Sequence, residues 1–121
     1  VLNMGVIGYG YWGPNIVRNF SSVDGIQVVA VSDRSPDMLK KAKKAYPAIE
    51  VSTDPNSILD SGTIDAVAVI TPVFTHFDLA KKALENGKHV FVEKPFTLTV
   101  GQAEELVELA DKKHFKIMVD H

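Results

Sequence analysis

Three glycines, Gly8, Gly10 and Gly13, follow directly on the apolar run from Leu2 to Ile7, and this leaves the chain few ways to fold. Such a run predicts a buried strand, and a glycine at its end lets the backbone turn sharply into a helix. In the spacing Gly-x-Gly-x-x-Gly each glycine has its own task. The first makes the tight turn, the second admits a pyrophosphate against the backbone, and the third lets the helix pack closely on the strand. The helix so opened aims its free N–H groups and positive dipole end at the phosphates. Ile16, Val17 and Phe20 supply its apolar stripe, and Asp33 closes the next apolar run. That acid stands about 20 residues beyond the glycines, where a carboxylate accepts hydrogen bonds from ribose hydroxyls. Glycine-rich turns alone are common. Strand, turn, stripe and acid together predict a dinucleotide-binding unit, in which Tyr11 and Trp12 of the turn also face the cofactor.

Along the rest of the chain, strands and helices alternate strictly. Ile26 to Ser32 reads as a strand, and Ser35-Pro36 as an N-cap with proline at the first helical position. Met38, Leu39, Ala42 and Ala45 then form the inner face of a helix that Pro47 ends, while Lys40, Lys41, Lys43 and Lys44 form its solvated face. Ile49 to Ser52 is a short strand, Asp54-Pro55 opens a short helix through Leu59, and Asp65 to Thr71 is apolar on both faces, as in a buried parallel strand. A helix over 75–86, with Phe77, Ala80, Ala83 and Leu84 inward, stops at Gly87. His89 to Val92 is the next strand. Thr99 to Gln102 reads as a capping box for a helix striped by Ala103, Leu106, Val107 and Ala110, and Lys116 to Val119 is a last strand. Alternation without hairpin signals predicts an α/β fold, a doubly wound parallel sheet of about six strands in the Rossmann order 3-2-1-4-5-6.

In such a sheet ligands bind at the carboxyl ends of the strands, so the residues there are the candidates for function. Asp33 binds the adenosine ribose and repels a 2′-phosphate, which favours NAD over NADP. Arg34 either stacks on adenine or pairs with such a phosphate, and the adjacent carboxylate favours stacking. After the fourth strand come Thr71 and Pro72, with His76 four residues beyond Pro72; after the fifth comes Glu93-Lys94-Pro95. An ammonium at a strand end beside the nicotinamide can donate to a substrate oxygen as hydride moves. Lys94 is therefore the candidate catalytic residue. Glu93 either tunes it or holds nicotinamide ribose hydroxyls. A cis Lys94–Pro95 bond is expected, because the chain must turn sharply there and X-Pro is where cis is least costly.

The glycine turn, Asp33, Thr71-Pro72 with His76, and Gly87-Lys88-His89-Val90 leading into Glu93-Lys94-Pro95 together resemble the N-terminal domain of the glucose-fructose oxidoreductase, inositol dehydrogenase and MocA (Gfo/Idh/MocA) family. The resemblance covers essentially the whole chain. It implies an NAD(P)-dependent oxidoreductase acting on a sugar, nucleotide-sugar or cyclitol hydroxyl, with Lys94 in the catalytic lysine position. It also implies that Thr71, Pro72 and His76 border the nicotinamide half, with Glu93 by its ribose. For His76 a structural role at the start of its helix stands beside that one. The wording around the glycine turn is similar to members that oxidise nucleotide-sugar uronic acids. Asp120 departs from the glycine common at that point.

The family resemblance further implies a second, α+β substrate domain, and homo-oligomers assembled through it. This chain ends at His121, where that domain would begin, and it starts without Met. It reads as a cofactor domain of 121 residues cut from a longer chain, able to bind cofactor without turnover. Lys+Arg 13 against Asp+Glu 15 points away from nucleic-acid and membrane surfaces. The absence of cysteine excludes disulfides, thiolate catalysis and cysteine-ligated metals, and no metal site is expected. A cytoplasmic enzyme is the expectation. The competing class is a non-catalytic module that senses NAD(H) or a nucleotide; its glycine turn would look the same, but it would have no use for Glu93-Lys94-Pro95.

Overall fold

The computed structural model describes residues 1–10 and 12–119. Six parallel strands form one sheet in the order β3-β2-β1-β4-β5-β6: β1 (Leu2–Ile7), β2 (Ile26–Ser32), β3 (Glu50–Ser52), β4 (Ala66–Val69), β5 (His89–Val92) and β6 (Ile117–Val119). The helices are α1 (Gly13–Ser21), α2 (Pro36–Ala45), α3 (Asn56–Leu59), α4 (His76–Glu85) and α5 (Val100–Lys113), with a 3₁₀ turn at Val73–Thr75 before α4. Strand order reverses between β1 and β4, so the loops after those two strands diverge and leave a crevice at the carboxyl edge.

Each face of the sheet carries its own core. On one, Ile16 and Val17 of α1 and Leu39 and Ala42 of α2 pack with Val6, Val31 and Ala68. On the other, Ile58 and Leu59 of α3, Ala80, Ala83 and Leu84 of α4, and Leu106 and Ala110 of α5 cover Ile7, Val67, Val69 and Val92. All four residues of β4 are buried, as its two-sided apolar reading requires. Truncating a fully buried leucine such as Leu84 or Leu106 to alanine typically costs about 2–5 kcal/mol.

Local signals explain most boundaries. Ser35 Oγ accepts from Met38 N–H at the start of α2, and Thr99 Oγ1 from Gln102 N–H at the start of α5. Gly87 ends α4 at φ +78°, with Lys88 N–H donating back to Ala83 O. Two expected inner positions lie outside. Ala45 is exposed and the half-buried Tyr46 packs on the core instead; in α5, Val107 is exposed and Leu109 takes the inner side. Tyr46 lies one residue beyond Ala45, a rotation of about 100° on the helical wheel, and Leu109 two residues beyond Val107, about 200°. Gly5 has a packing role with no motif to announce it, since a Cβ there would lie 2.5 Å from Ile58 Cγ2.

Candidate functional site

The site begins at the turn after β1. Gly8 has φ +102°, and a Cβ there would stand 2.7 Å from Ile70 O, so both conformation and space require glycine. Its N–H donates to Ser32 O at 2.7 Å, which binds the turn to the end of β2. A Cβ on Gly13 would lie 2.9 Å from Gly8 O, so the helix start sits directly against the turn. Around Gly10 the reverse holds: a Cβ would meet nothing within 4 Å. Two of the glycines thus close the turn and the third leaves open space in front of it. No side chain caps the first turn of α1, and Pro14 there has no N–H to satisfy.

Asp33 is fixed by two backbone groups from different loops. Oδ2 accepts from Tyr9 N–H at 2.7 Å and Oδ1 from Ser35 N–H at 2.8 Å. An ionised carboxylate has about four acceptor sites, so each oxygen keeps one for a ligand hydroxyl. Tyr9 itself is buried, and burial, reinforced by Tyr46, raises its hydroxyl above the ordinary phenol value of 10.0.

A cavity of about 630 Å³ lies beside this carboxylate and brings together Gly8, Gly10, Asp33, Arg34, Thr71 and Pro72. Ile70, Phe74 and Leu79 make its walls largely apolar, and Ser32 reaches it with a buried hydroxyl that has no hydrogen-bond partner among the described residues. Thr71 and Thr75 share a 2.6 Å hydroxyl bond, and Thr75 Oγ1 also donates to Pro72 O, so the loop after β4 is braced from within. An adenosine group fits these surroundings: flat apolar walls for a base, a carboxylate for the diol, an orphaned hydroxyl, and open backbone at Gly10 for the phosphates.

A second cleft, of about 580 Å³, joins Trp12, which precedes α1, and Asn15, Arg18 and Asn19 along that helix to Glu93, Lys94 and Pro95. Glu93 N–H donates to Val69 O, the last rung holding β5 to β4 before the chain leaves the sheet. Glu93 is half-buried, Lys94 is exposed, and the Lys94–Pro95 bond is cis, as expected. Arg18 donates to Asn15 Oδ1 at 3.1 Å, which draws its guanidinium toward the glycine end of the helix.

The predicted residues thus divide between two hollows, one on the Gly10 side of the turn and one on the Trp12 side. Gly13 and His76 line neither: Gly13 lies under the helix start, and His76 is buried between the loops after β4 and β5. Tyr11, Asp120 and His121 are outside the described residues. Sequence reading missed Ser32, Asn15, Arg18 and Asn19. The asparagines at i and i+4 directly after a glycine turn were the available signal, because that spacing puts both on one helix face. Among the described residues no helix is long and apolar enough to cross a membrane.

A parallel sheet in this order, with this glycine turn and an acid directly after β2, defines a dinucleotide-binding domain. Residues 2–121 match the family described as oxidoreductase family, NAD-binding Rossmann fold, and the chain belongs to that Gfo/Idh/MocA family. It is 38% identical over 104 residues to the scyllo-inositol 2-dehydrogenase (NAD(+)) of Bacillus subtilis, covering 86% of this chain and 29% of that protein. Among solved structures, an NAD-binding protein from Listeria innocua superposes with a TM-score of 0.89 at 30% identity, over 98% of this chain and 34% of that one. Biliverdin reductase from Synechocystis, solved with biliverdin and NADP+, does so with 0.93 at 26% identity, over 99% and 38%. The chain spans about a third of the length of these relatives.

Proposed function

We propose that this chain binds NAD across the two hollows and serves a longer enzyme that moves hydride between nicotinamide and a hydroxyl of a sugar, cyclitol or nucleotide sugar. The observation that carries the reading is the meeting of the glycine turn, Asp33 and Lys94 along one carboxyl edge, with a hollow on either side of the turn. The apolar cavity takes the adenosine half, with Asp33 on the ribose diol. The N-terminus of α1 takes the pyrophosphate, and the cleft by Glu93 and Lys94 takes the nicotinamide half and the substrate oxygen. The bound dinucleotide supplies the hydride acceptor. Lys94 donates a hydrogen bond to the reacting oxygen and takes part in moving its proton; Glu93 holds ribose hydroxyls or tunes that lysine. Inositol oxidation by the Bacillus subtilis relative supports a polyol substrate class.

NAD is the proposed cofactor because Asp33, tied to Tyr9 and Ser35, stays where a 2′-phosphate would sit. Arg34 then stacks on adenine. A relative solved with NADP+ makes this a question for measurement. Calorimetric titration of the chain with NAD and NADP tests it, with tighter NAD binding expected. NAD titration with no heat and no protection against melting would defeat the reading. Turnover by these residues alone is expected to be negligible, because among the described residues none is placed to hold the alcohol against both Lys94 and nicotinamide.

A further inference from the structure

The ring of His76 is surrounded by acceptors. It is 2% exposed; Nε2 lies 2.6 Å from Thr71 O, and Nδ1 lies 2.9 Å from Pro95 O and 3.1 Å from Phe96 O. All three partners are backbone carbonyls, which only accept. A neutral imidazole has one N–H and one lone pair, so either tautomer would press a lone pair against a carbonyl oxygen at hydrogen-bond distance. A ring with protons on both nitrogens donates in both directions and satisfies every contact. We infer that His76 is held as an imidazolium that clamps the loop after β4 to the loop after β5, and that it is thereby a positioning residue for the two loops that line the proposed cofactor site.

The connection falls where the sheet no longer supplies one. The ladder between these strands ends at Glu93 N–H to Val69 O. One residue later comes Lys94, and directly after it come the two carbonyls that the ring holds. At its other nitrogen the ring holds the carbonyl of Thr71, whose residue lines the adenosine-side cavity. The ring thus couples the wall of one hollow to the lysine of the other. The elements packed against the ring bring the following charges. The segment 71–75 carries no charge, the β5 loop brings Glu93 and Lys94, and α4 itself brings Asp78, Lys81 and Lys82. From α5, packed on α4, comes Glu105, paired with Lys81 at 3.2 Å. The acid nearest the clamped carbonyls in sequence is the half-buried Glu93.

The protonation state follows from geometry alone, whereas the consequence for cofactor binding rests on the proposed function, and two measurements separate them. Nitrogen-15 NMR of the imidazole groups in the 121-residue chain reads the ring directly. Both His76 nitrogens should carry slowly exchanging protons at pH 7, with the exposed His114 as internal comparison; one bare nitrogen there overturns the clamp. NAD titrations across the pH range over which the His76 signals change then test its effect. Affinity should fall as the ring loses a proton, by about tenfold, the equivalent of one lost net hydrogen bond. In His76→Gln, whose amide donates but does not titrate, that pH dependence should vanish. The same pH dependence in parent and variant would overturn the positioning role. Should His76→Gln fail to fold, the parent's ring spectrum decides the clamp. Should NAD not bind at any pH, the proposed function fails while the ring spectrum still decides the clamp.

Discussion

Replacing Asp33 by alanine tests the structural and the cofactor-selecting roles of one side chain together. Its carboxylate accepts two backbone N–H groups, from Tyr9 at 2.7 Å and from Ser35 at 2.8 Å. Hydrogen bonds to a charged group contribute about 1.5–3 kcal/mol each. The two losses are unequal. Tyr9 is buried, so its N–H would be left without a partner; Ser35 is half-buried, and water can replace much of what its N–H loses. We expect a total of about 2–4 kcal/mol. With an unfolding entropy of about 2.1 cal/mol/K per residue, each kcal/mol shifts the melting midpoint of a chain this long by about 4 °C. Asp33→Ala should therefore melt roughly 8–16 °C below the parent in differential scanning calorimetry. Asp33→Asn should fall between, because its amide keeps one acceptor and turns donors toward the other N–H. The same pinning keeps the carboxylate from swinging aside for a 2′-phosphate. NAD should bind the parent about 10- to 100-fold more tightly than NADP, a difference of about 1.4–2.8 kcal/mol, and Asp33→Ala should narrow that gap. A melting shift below about 2 °C, half of what 1 kcal/mol produces, would refute the bridging argument. Equal affinities in the parent would refute the selectivity argument.

Other expectations follow from single positions. Gly10→Ala should leave melting within about 0.5–1 kcal/mol of the parent, because its Cβ meets open space, yet weaken NAD binding about tenfold or more. Gly13→Ala should do the opposite, costing about 1–3 kcal/mol of stability through the contact with Gly8 O. Lys88 is buried, with Nζ donating to the carbonyls of Ser61 and, at 2.8 Å, Ile64. Lys88→Met should cost about 2–3 kcal/mol in urea unfolding by stranding those acceptors. Burial pushes the Lys88 ammonium below its ordinary value of 10.5, against the pull of Asp65 and Asp60. The unfolded chain then binds the extra proton, so the parent should gain stability relative to Lys88→Met as pH rises toward 10.5, and a loss over that interval would reverse the sign. In a longer protein that turns over, Lys94→Met should slow hydride transfer by about 10²- to 10⁴-fold with little change in NAD affinity, as stopped-flow and equilibrium titration would read.

The chain's alternation of buried strands and amphipathic helices, its glycine turn and its acid after β2 were all legible in sequence because each rests on local chemistry. A run apolar on both faces has few places to go but the centre of a parallel sheet, and φ +102° against Ile70 O admits little but glycine. The same holds for the caps at Ser35 and Thr99, which act within three residues. Pairings across distant segments were decided by the tertiary structure. Asp33 meets Tyr9 across 24 residues, His76 meets Pro95 across 19, and Lys88 meets Ile64 across 24. No periodicity encodes these, since they arise where parallel crossovers bring separate loops to one edge of a sheet. Spacing marked His76 as a candidate for the cofactor edge. The way its ring turns, between three carbonyl oxygens and away from both hollows, depends on how the loops after β4 and β5 pack on α4, and burial with an inward hydrogen bond satisfies a polar ring only once those loops are in place.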